Sequence, residues 1–268
     1  MNGSLTRIHA MLLRYLYLHK RSLPRTLEIL FWPVMELLVW GFVSVYLQSV
    51  MQSSMSRIIV FLINAMIFWD ILYRSQQAVS IAIIEDIWTQ NIVNILVSPL
   101  RIWEWLASTF IYGFAKILII TVILTLIAIG LYHFNLIENL GFYLIPLVAN
   151  LLFFGWSLGV FTSGLVIRWG HSAEALIWGI PYLIQPISAI YYPLSVLPKW
   201  LQVISRALPS TYVFEGMREV TRTRSMPMGY FLTAFLLNVL YFVLAGFFFR
   251  AMYQSARRSG RLGKLGMD

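Results

Sequence analysis

The sequence predicts an all-α membrane protein with six transmembrane helices. Of its 268 residues, 59% are hydrophobic and only 12% are charged, whereas soluble domains carry about 25% charged residues. The apolar residues are gathered into six runs, each long enough to cross a bilayer as a helix of ~20 residues. We therefore expect a chain embedded in a membrane, not one folded around a water-soluble core.

Residues 1–26 are expected to form an amphipathic helix in the cytoplasmic interface of the membrane. Arg7, Arg14 and Arg21 recur every seven residues, which places them on one face of a helix. The residues around the opposite side are Leu5, Ile8, Leu12, Tyr15 and Leu16. This pattern is typical of a helix lying in the membrane plane. The alternative is a plain solvated leader; a cleavable signal lacks support because the segment has no continuous apolar core.

The six spans form one transmembrane domain over residues 27–250. They cover about 27–47, 58–84, 105–132, 143–167, 174–193 and 229–250. We expect Pro181 and Pro186 to break the fifth span. On the second span, Asp70 and Arg74 have the spacing of an ion pair. On the fourth, the small residues at 155 and 159 permit close helix packing.

An even number of spans places both termini on the same side of the membrane. The N-terminal segment carries five Lys and Arg, and the predicted basic tail, residues 251–268, begins beside Arg250 and adds Arg257, Arg258, Arg261 and Lys264. Basic residues favour the cytoplasmic side, so both ends are expected there. Because the chain is so apolar, its net charge of +9 indicates anionic lipid as a partner and not nucleic acid. The outer connection 194–228 also carries basic residues, but the two termini outweigh it.

Residues 85–101, EDIWTQNIVNILVSPLR, form a polar piece between the second and third spans. We expect one cytoplasmic helix over about 85–99, ended by Pro99. Its apolar face would consist of Trp88, Ile92, Ile95 and Leu96. Its polar face would consist of Asp86, Gln90 and Asn94. Such a helix can lie against the membrane domain on one side and meet water or a partner on the other.

The outer connection 194–228 is predicted to contain two helices. The first follows Pro198, the second begins near Thr211, and a turn at 208–210 separates them. The predicted apolar face of the first helix consists of Trp200, Leu201, Ile204 and Leu208. Together the two helices would cap the outer end of the spans.

The sequence gives no support for catalysis or for nucleotide binding. HExxH is absent, the four histidines are scattered, and there are no cysteines to form disulfides or thiolate metal sites. The stretch 155–159, GWSLG, fits the pattern GxSxG, but its small residues favour helix packing over chemistry. The stretch 260–265, GRLGKL, fails the phosphate-loop pattern in spacing, and Leu265 replaces the hydroxyl residue. We therefore expect no catalytic residue, metal or cofactor on this chain, and any use of ATP requires another protein.

Three stretches resemble the permease subunit of type-2 ABC exporters, the class that includes drug and polysaccharide exporters. They are PRTLEILFWPVMELLVWGF (24–42), EDIWTQNIVNILVSPLRIWEW (85–105) and ISAIYYPLSVLPKWLQVISRALPSTYVFEGMRE (187–219). The third contains the LPxWLQ, LP and EGMR elements of the family's outer segment. The resemblance covers nearly the whole chain. One departure is Trp88-Thr89, where many drug exporters of this family have Gly-Thr, and this leaves the substrate open.

The resemblance implies a six-helix permease that pairs with a second copy, most simply as a homodimer. Two cytoplasmic ABC ATPase subunits would bind ATP and Mg and supply the energy, in the cytoplasmic (inner) membrane of a bacterium. The segment 85–99 would be the coupling helix that seats on the ATPase. The coupling residues would be Glu85, Asp86, Trp88, Gln90, Asn91, Asn94, Leu96, Ser98 and Pro99.

The resemblance also implies a translocation path between spans one and five, covered by an outer lid. The path residues would be Phe31, Trp32, Met35, Glu36, Val39, Tyr182, Gln185, Ser188, Tyr191 and Tyr192. The outer gate would consist of Pro193, Pro198, Trp200, Pro209, Glu215 and Arg218. Such an aromatic path suits an amphipathic substrate: a lipid-linked glycan, a lipophilic drug or a lipid. Whether Glu36 lines the path or makes a structural hydrogen bond stays open.

Two other functions remain at this point. An ion-coupled secondary transporter that works alone is suggested by Glu36 and by the Asp70–Arg74 pair. The other alternative is a membrane protein without transport activity, either a scaffold or an integral membrane enzyme. Transport without any ATPase would favour the secondary transporter. Failure to purify with a protein that has a phosphate-binding loop would favour the scaffold or enzyme.

Overall fold

The computed structural model describes residues 3–50, 56–225 and 227–260, and these ranges contain helices and turns but no strand. The helices are α1 (Gly3–Lys20), α2 (Leu23–Val50), α3 (Ser56–Trp88), α4 (Ile92–Val97), α5 (Ile102–Tyr132), α6 (Leu136–Leu140), α7 (Leu144–Trp169), α8 (Glu174–Ile184), α9 (Lys199–Arg206), α10 (Pro209–Thr223) and α11 (Met228–Arg258). Short 3₁₀ turns precede α7, α8 and α9. The prediction of an all-α chain is confirmed.

Four segments of the described chain are long and apolar enough to cross a membrane. They are Ile29–Leu47, Ile102–Tyr132, Leu136–Ile184 and Met228–Arg258. The third contains both α7 and α8, so these four segments include five of the six predicted spans. The predicted second span, 58–84 in α3, is not among these segments of the described residues. The chain is thus a multi-pass membrane protein, and the count of six stays a prediction.

The predicted fifth span, 174–193, is wrong in its extent. The helix α8 ends at Ile184, and its eleven residues make it ~16 Å long, about half of a ~30 Å hydrocarbon core. Pro181 lies inside α8 without breaking it. The carbonyl of Ile177, which Pro181 leaves without its helical N–H partner, accepts hydrogen bonds from the Nε2 atoms of Gln76 (3.2 Å) and Gln77 (3.3 Å) on α3.

Several other predicted boundaries also shift. The N-terminal helix ends at Lys20 and not at residue 26, and α11 continues to Arg258, so the predicted tail 251–268 is helical in its first part. Arg261 and Lys264 lie outside the described residues. The two helices predicted within 194–228 are present as α9 and α10, and Pro209 begins α10 as its first residue.

The centre of the fold is α3, which packs against α2, α5 and α7. Small residues on α7 bring α3 and α7 close together; their spacing predicted close packing, but not which helix would be the partner. A Cβ atom on Gly155 would lie 2.6 Å from the carbonyl oxygen of Leu72, and one on Gly159 would lie 2.8 Å from that of Gln76. The close approach lets Ser80 and Thr162 share a hydrogen bond of 2.6 Å between buried hydroxyls. Hydrogen bonds of this kind link helices in an apolar environment, where water cannot replace them.

The other main contact is between α7 and α11. The buried Asn238 on α11 donates its Nδ2 hydrogens to the backbone oxygen (3.0 Å) and to Oδ1 (2.9 Å) of Asn150 on α7. The helices α3, α7 and α11 therefore form a layered core, and both of its contacts contain a buried polar link.

The tight α3–α7 contact yields a stability prediction. Replacing Gly155 with Ala should lower the free energy of unfolding by about 1–3 kcal/mol, because the backbone carbonyl of Leu72 cannot move away from the added methyl group. Gly246→Ala is the matched control, since a Cβ atom on Gly246 meets nothing within 4 Å. Thermal unfolding of the purified protein in detergent measures both. Equal melting temperatures for the two variants would contradict the described packing.

Candidate functional site

The candidate site lies where α1 crosses the end of α3 and the beginning of α5. Here Arg7 forms a two-pronged ion pair with Glu104: its Nε donates to Oε2 at 2.7 Å and its Nη2 to Oε1 at 2.6 Å. The Glu104 side chain is fully buried, and its Oε2 also accepts from the backbone N–H of Arg101 at 2.9 Å. One carboxylate therefore fixes the first turn of α5 and the position of α1 at once.

A second ion pair joins α1 to the end of α3. The Nη2 of Arg14 donates to Oδ1 of Asp86, a residue that is only 1% exposed. Burial raises the pKa of Asp86 above its usual range, although the neighbouring guanidinium of Arg14 opposes this shift. Burial also disfavours the charge of Arg14, but its hydrogen bond and attraction to Asp86 raise its pKa. The unfavourable desolvation therefore falls mainly on the Asp86 carboxylate. The main effect of the ion pair is to fix the position of α1 against α3.

Aromatic packing fills the space between these two ion pairs. The ring of Tyr15 is buried and lies 5.3 Å from that of Tyr112, and its hydroxyl accepts from Nε1 of Trp105 at 3.2 Å. By contrast, Leu5 and Leu16 on α1 are exposed. The arginines at positions 7 and 14 therefore face protein carboxylates. Their seven-residue spacing was visible in the sequence, but it was interpreted as a face toward lipid headgroups and water.

The predicted single helix over 85–99 is wrong. The helix α3 continues through Trp88, a turn follows in which Gln90 has a left-handed φ of 55°, and α4 covers only six residues. The backbone N–H of Asn91 bonds to the carbonyl oxygen of Asp86 at 2.9 Å across this turn. Ser98 has extended backbone angles and Pro99 follows it, which ends α4 as expected.

The turn changes which side chains face outward. Asp86, predicted on the polar face, is buried, and Trp88, predicted on the apolar face, is 45% exposed. Ile92 and Ile95 are buried as predicted. Of the remaining predicted coupling residues, Glu85, Asn91, Leu96 and Ser98 are half-buried, and Gln90, Asn94 and Pro99 are exposed.

The turn and α4 together expose several side chains at this end of the molecule. We call this set the 88–97 surface; its members are Trp88, Val93, Asn94 and Val97, and Val97 is 78% exposed. The Nε1 of Trp88 donates to Oε2 of Glu174 at 3.3 Å, which connects this surface to the beginning of α8. The sequence analysis did not include Val93 and Val97 among the coupling residues. They are exposed because the turn at Gln90 changes the orientation of α4 relative to the end of α3.

The predicted path residues come from α2 and from the segment that follows α8. On α2, Glu36 is half-buried, and the exposed side chains are Phe31, Trp32, Met35 and Val39. Opposite them, the ring of Tyr191 stacks on Trp40 with centroids 4.8 Å apart. The remaining predicted residues are placed as follows: Tyr182 is exposed, Gln185 and Tyr192 are half-buried, and Ser188 is buried. The Ser188 hydroxyl lies 2.7 Å from that of Ser210, inside the protein.

The predicted ion-pair spacing on α3 is also confirmed, close to these path residues. The Nε of Arg74 lies 2.8 Å from Oδ1 and 2.9 Å from Oδ2 of Asp70. The ring of Tyr73 on the same helix lies 5.7 Å from that of Tyr182. The structure therefore brings α2, α3 and α8 together at one face of the bundle.

Two of the predicted outer-gate residues hold the segment after α8 in place. Arg218 on α10 donates its Nη2 to the carbonyl oxygens of Ala189 (2.6 Å) and Tyr192 (2.8 Å), and it pairs with Glu215. Glu215 in turn accepts from the backbone N–H of Leu194 at 2.8 Å. Because Ala189 has a left-handed φ of 54°, these bonds maintain a turn that an alanine rarely adopts.

The other predicted gate residues divide between the surface and the interior. Pro193, Pro198 and Trp200 are exposed, whereas Pro209 is buried at the beginning of α10. On α9, Trp200 and Ile204 are exposed and Leu201 is half-buried, whereas Leu208, which follows α9, is buried. The four residues predicted to share one apolar face are therefore split between the core and the surface.

Comparison with known proteins agrees with this architecture. The sequence profile of the ABC-2 type transporter family matches residues 14–222. The match begins at Arg14 in α1, includes the 88–97 surface, and ends within α10. No curated protein matches the chain. Since the family profile covers well over half of the sequence and the fold is an apolar helical bundle, the chain belongs to the ABC-2 type transporter family as its membrane permease component.

Proposed function

We propose that this permease forms the membrane path of an ATP-driven exporter and that separate cytoplasmic ATPase subunits supply the energy. The observation that carries the proposal is the 88–97 surface, an exposed apolar patch held from behind by two ion pairs. In the complete transporter, two permease copies pair with each other and with two ATPase subunits. ATP and Mg bind to the ATPases.

The arrangement of the basic ends supports a cytoplasmic position for the 88–97 surface. Met11 of α1, Ile92 and Ile95 of α4, and Ala256 of α11 belong to one buried cluster. The beginning of the chain, the coupling segment and the end of α11, with Arg257 and Arg258, therefore meet at one end of the bundle. Basic residues favour the cytoplasmic side, and we infer that both termini lie there, in the cytoplasmic membrane of a bacterium.

Contacts at the other end support an outer position for α10. Arg224, just after α10, donates its Nη1 to the carbonyl oxygen of Asn139, at the end of α6, at 2.8 Å. The helix α6 connects the predicted third and fourth spans, so the two outer connections of the six-span topology lie side by side. At the opposite, cytoplasmic end, α1 then lies in the membrane interface, with Leu5 and Leu16 toward lipid.

The ion pairs suggest how motion reaches the path. When ATP closes the ATPase dimer, the 88–97 surface moves with it. Because Asp86 ends α3 and Glu104 begins α5, and both are held by α1, these helices move together. Displacement of α3 then shifts α2 and α8 against it and opens the path outward, as expected for alternating access. The aromatic side chains of the path suit an amphipathic or lipid-linked substrate.

Placing a charge on the 88–97 surface tests the ATPase contact. Val97→Asp should weaken co-purification of the ATPase by about tenfold or more, because it places a carboxylate in an apolar interface while leaving the fold intact. Val196→Asp is the matched control, since Val196 is also highly exposed but lies in the outer connection. ATP-dependent transport in proteoliposomes is the second measurement. Full coupling in the Val97 variant, or transport without any ATPase, would contradict the proposal.

The buried ion pair makes a separate prediction. Arg14→Gln should lower the free energy of unfolding by about 2–3 kcal/mol, because it leaves the Asp86 carboxylate buried without a counter-ion. The double variant Arg14→Gln/Asp86→Asn should recover most of this loss, yet still lack coupling. Since burial raises the pKa of Asp86, the deficit of the single variant should shrink as the pH falls and the carboxyl becomes protonated.

Melting temperatures across a pH series, together with transport, measure this pair of variants. Arg21→Gln is the control, because Arg21 is exposed beyond the end of α1. A double variant that is as unstable as the single one would show that the cost does not arise from the unpaired carboxylate. A fully coupled double variant would show that α1 does not take part in transmission.

Cross-linking tests the pairing of two permeases through α2. The chain has no cysteine, so any cross-link must form through the single cysteine that is introduced. Val39→Cys, whose native side chain is 60% exposed on α2, should form a cross-linked dimer in membranes, because residues near a two-fold axis meet their own copies. Leu126→Cys on α5 has a similarly exposed native residue and should not. The reverse result would place the dimer contact on α5.

A further inference from the structure

We propose that Glu36 is the anionic centre of a binding site for a lipophilic cation, so that the exported substrate is an amphipathic molecule with a cationic group. The inference rests on the proposed export function and adds the chemical class of the substrate. It is carried by three features of the face that α2, α3 and α8 share: an unpaired carboxylate, an arginine that is already occupied, and a set of aromatic rings.

The first feature is the state of Glu36 itself. It lies in the apolar segment Ile29–Leu47 and is half-buried. Within the described ranges it forms no hydrogen bond and no ion pair, although it lies within electrostatic range of Asp70 and Arg74. A carboxylate at membrane depth is expensive and is normally paired or functional. Its lack of a partner indicates a site completed by a ligand.

The second feature is the charge balance around it. The Nε of Arg74 contacts both carboxylate oxygens of Asp70, at 2.8 and 2.9 Å. The charge of this arginine is therefore offset by its own helix neighbour. When both carboxyl groups are ionised, the two carboxylates and one guanidinium leave one negative charge in excess on the described part of the face. That balance favours a cation over a phosphate or carboxylate group.

The third feature is the aromatic surroundings. Trp32 and Trp40 stand four residues before and after Glu36, on the same face of α2. Trp40 stacks on Tyr191, which lies within electrostatic range of Glu36, and Tyr182 contacts Tyr73. Trp32 is 64% exposed, so the face is open at the surface of the protomer. Aromatic faces attract cations, most strongly where water is excluded.

A pair of ions with the same shape and opposite charge tests the inference directly. The permease is purified in detergent with its ATPase and without nucleotide, and equilibrium dialysis against empty micelles measures binding of tetraphenylphosphonium and tetraphenylborate. We expect saturable binding of the phosphonium and none of the borate. Glu36→Gln should weaken phosphonium binding by about tenfold or more, because it removes the charge but preserves the size of the side chain.

Two further variants keep the test decisive. Glu36→Asp should retain the preference for the cation, and Glu138→Gln, which removes an exposed carboxylate on α6, should bind like the unmodified protein. If Glu36→Gln does not fold, Trp32→Leu replaces it and should weaken phosphonium binding several-fold. Equal binding of both ions, no saturable phosphonium binding, or unchanged binding in these site variants would overturn the inference. Co-purification of the ATPase, measured in the same samples, tests the proposed function separately.

Discussion

The two ion pairs between α1 and the ends of α3 and α5 are the constraint on which the candidate coupling site depends. Glu104 and Asp86 are both buried, and each is held by an arginine seven residues from the other along α1. Buried ion pairs contribute little net stability, since desolvation offsets their attraction. Their value is geometric: they fix the two ends of a short connection that would otherwise be free to move relative to the bundle.

A comparable use of polar groups occurs deeper in the bundle. Pro181 removes one hydrogen bond from α8, and Gln76 and Gln77 on α3 occupy the carbonyl that it frees. In an apolar environment an unsatisfied carbonyl is costly, so the proline and the glutamines are best understood together. The same α3 also contains the Asp70–Arg74 pair and the hydroxyl of Ser80. These polar groups of α3 therefore have partners inside the protein.

The non-helical segment 185–193, which follows the short helix α8, is held in a defined position by contacts with α10. The segment 185–193 turns back through a left-handed Ala189, and Arg218 and Glu215 hold it against α10. In the sequence, the same residues looked like a gate at the exit of a path. In the structure their side chains bind backbone atoms of their own chain, so any movement of this region requires α10 and the turn to move as one unit.

The sequence by itself determined the helical class, most of the apolar segments, the small-residue face of α7 and the family. These follow from composition, from the length of apolar runs and from small residues at helical spacing, all of which are local properties. Only the tertiary structure decided the partners of Arg7 and Arg14, the turn at Gln90 and the exposure of Val97. A charge interacts with whichever group lies nearest in space, and neither Asp86 nor Glu104 is near these arginines along the chain. Periodicity reveals the faces of a helix, but not what each face contacts.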